Sequence, residues 1–227
     1  MDSWLRDARR KKGWTQAEAA SRLGVSQTYF SLLENGRRPV SRPLARKVQK
    51  TFDVPPTALP VASRPTPRRV DADGLAGAVA ALGYPGFTHL TRGRRMNPAE
   101  LLLTALMSAD LEPRLAEALP WVAWQHPHLN WPWLVAQAKL HDLQNRLGFI
   151  VALARAVAER HQDSPAAGAL SNVEAQLERS RLVREDTLGR ESMTQAERRW
   201  LRGHRAPAAL HWNVLTSLVP EHLAYAS

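Results

Sequence analysis

The sequence predicts an all-α protein with a small N-terminal helical bundle and a larger C-terminal helical domain. Apolar residues recur every three or four positions along most of the chain. Helix-capping sequences precede several of these stretches, and no segment alternates polar and apolar residues as a strand does. We therefore expect a bundle of four to five helices in residues 1–54, a linker in residues 55–70 and a helical domain in residues 71–227.

The first two helices are marked by their ends. A basic helix is predicted over Leu5–Lys12 and stops at Gly13. Thr15 caps the next helix, and Glu18, three residues later, completes a capping box. Gly24 ends that helix in a sharp turn, because glycine adopts a positive φ without steric cost.

Ser26 caps a third helix that is predicted to run through Leu33. Asn35-Gly36 ends it, and a fourth helix is expected from about Pro43 to Phe52. Two short helices that meet across a glycine turn can present the second helix to the major groove of DNA.

The remaining chain is predicted to be a proline-rich linker followed by further helices. Residues 55–70 hold five prolines and three arginines, which is typical of an extended linker. Residues that cap or open later helices are Asn97, Asn130, Ser164 and Thr194. The charged stretch Glu174–Arg190 is interpreted as a solvated helix face with pairs four residues apart, because its charges nearly cancel.

The excess positive charge lies entirely in the N-terminal third. The chain carries a net charge of +10. Residues 1–70 contain fifteen Lys and Arg and five Asp and Glu, whereas residues 71–227 contain sixteen of each. Such a concentration of charge indicates a polyanionic partner for the N-terminal region.

Other features exclude several classes of protein. The chain contains no cysteine, which excludes disulfides and cysteine-ligated metal sites and favours a reducing cytoplasm. The start Met1–Arg6 lacks the pattern of a signal peptide, and no apolar stretch is long enough to span a membrane. We find no phosphate-binding loop, nucleophile elbow or zinc-protease motif. The sequence therefore predicts a cytoplasmic protein that is not an enzyme and needs no cofactor.

The helical hairpin carries a family resemblance. The segment TQAEAASRLGVSQTYFSLLENGRR, residues 15–38, resembles the DNA-binding domain of phage Cro/CI-type repressors, the XRE family. The resemblance covers about a quarter of the chain. It implies a DNA-binding transcription regulator that binds a double-stranded operator.

The resemblance also implies which residues contact DNA. The base-contacting positions are expected at Gln27, Thr28, Tyr29 and Ser31. The phosphate-contacting positions are expected at Gln16, Ser26, Asn35, Arg37 and Arg38. The position of Leu32, often a long polar residue in the family, is given no contact.

The C-terminal domain offers a tryptophan cluster. Its members lie within thirteen residues and are Trp121, Trp124, Trp131 and Trp133. Such a cluster marks either a corner of the core, which we favour, or a surface for a protein partner or ligand.

Three hypotheses follow for the whole chain. The first is a homodimeric repressor of its own operon, because two half-sites give the affinity that one small domain lacks. The second is an antitoxin that binds a neighbour-encoded toxin, since Glu112–Leu153 resembles regulators paired with nucleotidyltransferase-type toxins. The third, which we disfavour, is a metal phosphohydrolase. Its ligands would be His126 or His128, then His141-Asp142 and Asp163, at intervals shorter than that fold needs.

Overall fold

A computed structural model describes residues 4–38, 40–58, 61, 72–90 and 93–226 of the chain. The chain divides into two compact units, Met1–Ser63 and Arg64–Ser227. The described residues form twelve α-helices and no strand, which confirms the predicted fold class. Most of the predicted linker, residues 59–60 and 62–70, lies outside the described residues.

The N-terminal unit contains four α-helices: α1 (Trp4–Lys11), α2 (Gln16–Leu23), α3 (Gln27–Glu34) and α4 (Arg42–Phe52). The predicted capping box is present, since the Thr15 side chain accepts a hydrogen bond from the Glu18 N–H and Glu18 bonds back to Thr15. Gly24 follows α2 with φ +67°, in the left-handed region that glycine tolerates best. The local signals therefore set the boundaries of the helical hairpin.

Apolar side chains from all four helices meet in one core. The buried members are Leu5, Ala19, Ala20, Leu23, Phe30, Leu33, Val48, Phe52 and Val54. Phe30 and Phe52 stack at 6.1 Å between ring centroids, and Trp14 meets Phe52 edge-on at 5.3 Å. This core fixes α3 against α1, α2 and α4, so one face of α3 remains for contact with a partner.

The C-terminal unit contains eight α-helices. They are α5 (Ala72–Ala80), α6 (Pro98–Leu106), α7 (Pro113–Gln125), α8 (Trp131–Leu140), α9 (Gln144–Arg160), α10 (Ser164–Glu178), α11 (Gln195–His204) and α12 (Pro207–His211). The predicted caps at Asn97, Asn130 and Thr194 each accept a backbone hydrogen bond. At the start of α10 the capping side chain is that of Asp163. Within the described part of the chain, no helix is both long and apolar enough to traverse a bilayer.

Helix α9 is the centre of the C-terminal unit. It packs against α7 and α10, and its apolar residues from Leu147 to Ala158 are nearly all buried. Three polar residues at its start, Gln144, Asn145 and Arg146, are also buried. Burial of polar groups is costly unless they are hydrogen-bonded. Asn145 and Arg146 both have hydrogen-bond partners in distant parts of the chain.

Asn145 and Arg146 hold the chain that follows α10. The Asn145 side chain accepts from the N–H of Leu182 and donates to its carbonyl, both at 2.8 Å. Arg146 forms a bidentate pair with Asp186, with both bonds at 2.8 Å. It also donates to the carbonyl of Leu106 at 2.8 Å. These bonds order a segment that has no regular secondary structure.

The prediction of one helix face over Glu174–Arg190 is wrong beyond Glu178, where α10 ends. The reason is tertiary, since Asn145 and Arg146 bind the segment in a non-helical path. Of the expected helical pairs, Glu178 meets Arg181 at 3.2 Å at a spacing of three residues.

Candidate nucleic-acid interface

The amino end of α3 is exposed. Gln27 and Thr28 open the helix, their side chains are exposed, and neither forms a hydrogen bond with another side chain in the described part of the chain. Ser26 accepts a hydrogen bond from the N–H of Tyr29 at 3.1 Å, so its hydroxyl caps the helix. Two polar side chains are therefore free at the point where the hairpin presents α3.

Tyr29 and Ser31, the other predicted base-contacting residues, are half-buried. The guanidinium of Arg38 lies over the Tyr29 ring, 5.5 Å from its centroid. The Ser31 hydroxyl accepts a hydrogen bond from the Asn35 side chain at 3.3 Å. Both residues thus contact the chain that follows α3, at Arg38 and Asn35 respectively.

The last residue of α3 carries a buried carboxylate. Glu34 is fully buried, and its Oε1 accepts a hydrogen bond from Nε of Arg9 at 2.8 Å. Its Oε2 accepts from the Gln16 side chain at 2.5 Å and lies 3.9 Å from Nε of Arg6. Arg9 also donates to the carbonyl of Trp14 at 2.7 Å. This network links α1, α2 and α3, and hence the two helices of the hairpin.

Two residues with expected phosphate contacts form side-chain hydrogen bonds within the unit. We expected the Gln16 side chain at a phosphate, but it is half-buried and bound to Glu34. The Asn35 side chain accepts from Nη2 of Arg6, so it too is engaged within the unit. Sequence reasoning missed Glu34 because a glutamate near the end of a helix resembles an ordinary surface residue.

The N-terminal unit carries many exposed cations. Arg37 and Arg38 follow the helix and are exposed. Further exposed cations of this unit are Arg10, Lys11, Lys12, Arg22, Arg46, Lys47 and Lys50. Backbone N–H groups at the starts of α2 and α3 add partial positive charge. The surface has the charge that a nucleic-acid backbone requires.

The tryptophan cluster of the C-terminal unit contributes mainly to packing. Trp121 and Trp131 are only 8% exposed, and the Trp131 indole N–H donates to the carbonyl of Pro127 at 2.9 Å. Trp124 is half-buried and donates to Asp163 at 3.1 Å, while Trp133 is half-buried. Neither buried indole offers an accessible contact surface.

The residues of the phosphohydrolase hypothesis do not assemble. Asp163 caps α10 and accepts from an indole. His126 is part-buried with its Nε2 unpartnered, and desolvation lowers the pKa of its imidazole. Over the described ranges, no three His, Asp or Glu side chains lie close enough to share a metal ion.

The geometry of α2, Gly24 and α3 defines the N-terminal unit as a helix-turn-helix domain. Residues 5–59 match the helix-turn-helix family, which confirms the XRE-type resemblance of the hairpin. The chain is also similar to YqaF, an uncharacterized HTH-type transcriptional regulator of Bacillus subtilis (strain 168), with 35% identity over 48 residues. That match covers 21% of this chain and 63% of YqaF. No solved structure gives a significant match.

Proposed function

We propose that the chain is a sequence-specific DNA-binding transcription regulator that acts as a homodimer and represses its own operon. The observation that carries the proposal is the pair of exposed, unpartnered side chains at the start of α3, Gln27 and Thr28. A Gln amide both donates and accepts, so it pairs with adenine N6 and N7 in the major groove.

The charged residues around α3 fit a role in affinity. Arg37 and Arg38 are exposed directly after the recognition helix, where they bind phosphates on either side of the groove. Because the Gln16 side chain is bound to Glu34, we assign the phosphate contact at the start of α2 to the backbone N–H of Gln16. Asn35 and Ser26 act by holding the loop and the helix start.

The homodimer follows from the size of this surface. One helix of eight residues reads few bases, and specific affinity comes from two copies on half-sites about one helical turn apart. The C-terminal unit is the part of the chain that we assign to dimerisation.

The test of sequence-specific DNA binding compares two substitutions in the full chain. Duplexes bound by the protein are selected from a random pool and compared with DNA upstream of its own gene. We expect Gln27→Ala to reduce discrimination at one base pair by about 1–3 kcal/mol. Arg38→Ala should weaken all duplexes alike and reduce the salt slope by roughly 0.9 per bound protomer. If Gln27→Ala leaves the order of preferred duplexes unchanged, α3 does not read the bases.

The oligomeric state is tested by sedimentation of the protein alone and on the selected duplex, where two copies per operator are expected. The antitoxin hypothesis predicts a different result, namely co-purification with a neighbour-encoded protein when both are expressed. Recovery of a dimer free of that protein would count against the antitoxin hypothesis.

A further inference from the structure

Residues 71–227 have no overall excess of charge, but their charge is unevenly distributed. Residues 179–205 contain eight arginines and four acidic residues, a net charge of +4. The other residues of the 71–227 region therefore carry a net charge of −4. The positive segment consists of α11 and the chain that leads into it, held in place by Asn145 and Arg146.

The acidic residues of this segment are largely engaged within the unit. Asp186 forms the bidentate pair with Arg146. Glu197 closes the capping box of α11 by accepting from the N–H and hydroxyl of Thr194, both at 2.8 Å. Asp186 is therefore paired with an arginine outside the segment, whereas Glu197 stays partly exposed and pairs with Arg190 at 3.3 Å. Among the described contacts, neither carboxylate pairs with an arginine of α11.

Arginines outnumber carboxylates at the side of α11 that faces Glu185. Arg202 binds Glu185 through two nitrogens at 2.9 and 2.8 Å, and these hydrogen bonds and the charges of Arg202, Arg205 and Arg198 lower the pKa of that carboxyl group. Arg205 is only half-buried, yet its Nε and Nη1 atoms are buried and lack a hydrogen-bond partner. One carboxylate among three guanidiniums leaves this side of α11 positive.

Two further arginines are free to bind a partner. Arg184 and Arg199 are exposed, and neither side chain forms a hydrogen bond or ion pair with any residue that the structure describes. Arg184 directly precedes Glu185, which is bound to α11, and Arg199 lies on α11 itself. Their guanidiniums can donate two parallel hydrogen bonds to a phosphate.

An exposed aromatic residue directly follows Arg199 in α11. Trp200 is 55% exposed, an unusual state for an indole. Its ring stacks on His204 with 4.4 Å between centroids and an interplanar angle of 7°, which orients it on the surface. The indole offers an N–H donor and a flat apolar face. We call Arg184, Arg199, Trp200 and Arg202 the α11 basic face.

We propose that the α11 basic face is a second contact with the duplex DNA backbone. The inference rests on the proposed function, which already brings DNA to this chain. DNA held by the N-terminal unit is present at a high effective concentration for any second surface of the same chain. Arginines match phosphates in charge and geometry, and the indole covers the adjoining sugars. The contact adds affinity for all duplexes without reading bases.

The test measures how the affinity of the full chain for duplex DNA depends on salt. Parent and variants are titrated by fluorescence anisotropy onto the selected operator and onto a scrambled duplex. In Arg184→Ala/Arg199→Ala, the loss of two phosphate contacts from each protomer should reduce the slope of log affinity against log salt by about 1.8 per bound protomer for both duplexes. Trp200→Ala removes no charge, so it should weaken both duplexes equally at an unchanged slope.

The matched control is Arg94→Ala/Arg114→Ala, which removes two exposed arginines from the acidic remainder of the unit. This control should keep the parent slope. An unchanged slope in Arg184→Ala/Arg199→Ala, or an equal fall in the control, would overturn the inference.

The two proposals fail in different ways. If Gln27→Ala alters duplex preference while the α11 variants bind like the parent, only the second contact is refuted. If the parent does not discriminate between duplexes, the proposed function is refuted whatever the α11 variants do.

Discussion

The buried Arg9–Glu34 pair should dominate the stability of the helix-turn-helix domain. The Glu34 side chain is fully buried, and Arg9 supplies its guanidinium at 2.8 Å from a side chain that is only 15% exposed. We consider Arg9→Met, which keeps the apolar part of the side chain and removes the charge. The change leaves Glu34 with the Gln16 amide and with Arg6, whose Nε is 3.9 Å away.

The magnitude follows from the cost of an uncompensated buried charge. Removing one member of a buried pair costs about 3–5 kcal/mol, and the two remaining partners place this case near 3 kcal/mol. A domain of this size is stable by roughly 3–8 kcal/mol. Arg9→Met should therefore remove much of that stability and lower local protection from hydrogen exchange roughly a hundredfold.

Hydrogen exchange with mass spectrometry tests this in the full chain. Peptides from residues 5–54 report on the domain, and peptides from α9 serve as an internal reference. The double variant Arg9→Met/Glu34→Met removes both charges, so it should be more stable than Arg9→Met alone. Unchanged protection in Arg9→Met, or a double variant no more stable than Arg9→Met, would refute this reasoning.

Two further predictions concern the turn and a buried imidazole. Gly24→Ala should lower the free energy of unfolding of the N-terminal unit by about 1–2 kcal/mol, because φ is +67° there. Both this variant and the control Gly24→Asn are measured by urea unfolding. Gly24→Asn should lower the free energy of unfolding less, since asparagine tolerates a positive φ better than alanine. Burial lowers the pKa of His126 below its ordinary value of 6.5, so the unfolded chain binds the proton more readily. The stability that this group contributes is present above about pH 6.5 and is lost as the pH falls below it. In His126→Gln, hydrogen-exchange protection of α7 and α9 should fall less on acidification than in the parent, whereas His128→Gln, at an exposed position, should behave like the parent. Equal behaviour of the two variants would contradict this prediction.

Local signals in the sequence were sufficient for the helical hairpin. The capping box at Thr15, the glycine turn and the cap at Ser26 each depend on residues within four positions of one another. Because such interactions are set by spacing along the chain, they can be read without knowledge of the fold. The capping box at Thr194 was predicted for the same reason.

Long-range partners were what sequence reasoning missed. Glu34 is bound by Arg9, 25 positions away, and Gln16 is bound by Glu34 across 18 positions. Nothing near any of these residues in the sequence indicates that the carboxylate is buried. The contact assigned to the Gln16 side chain changed for this reason, since a hydrogen bond within the domain already uses it.

The end of α10 was mispredicted for a similar reason. Charge spacing favoured a continued helix after Glu178, but Asn145 and Arg146 bind the following residues from across the unit. A polar triplet at the start of a largely apolar helix gives no indication of which distant segment it will hold. Tertiary hydrogen bonds outweighed local helix propensity here.

Because buried side chains hold the segment after α10, the position of exposed residues in that segment depends on residues of the core. Asn145 is 1% exposed and lies too deep to meet any large molecule. Yet its amide fixes Leu182, two residues before Arg184, and its neighbour Arg146 fixes Asp186. A substitution at this hidden position would therefore rearrange the outer arginines and alter recognition without touching a single residue that a ligand could reach.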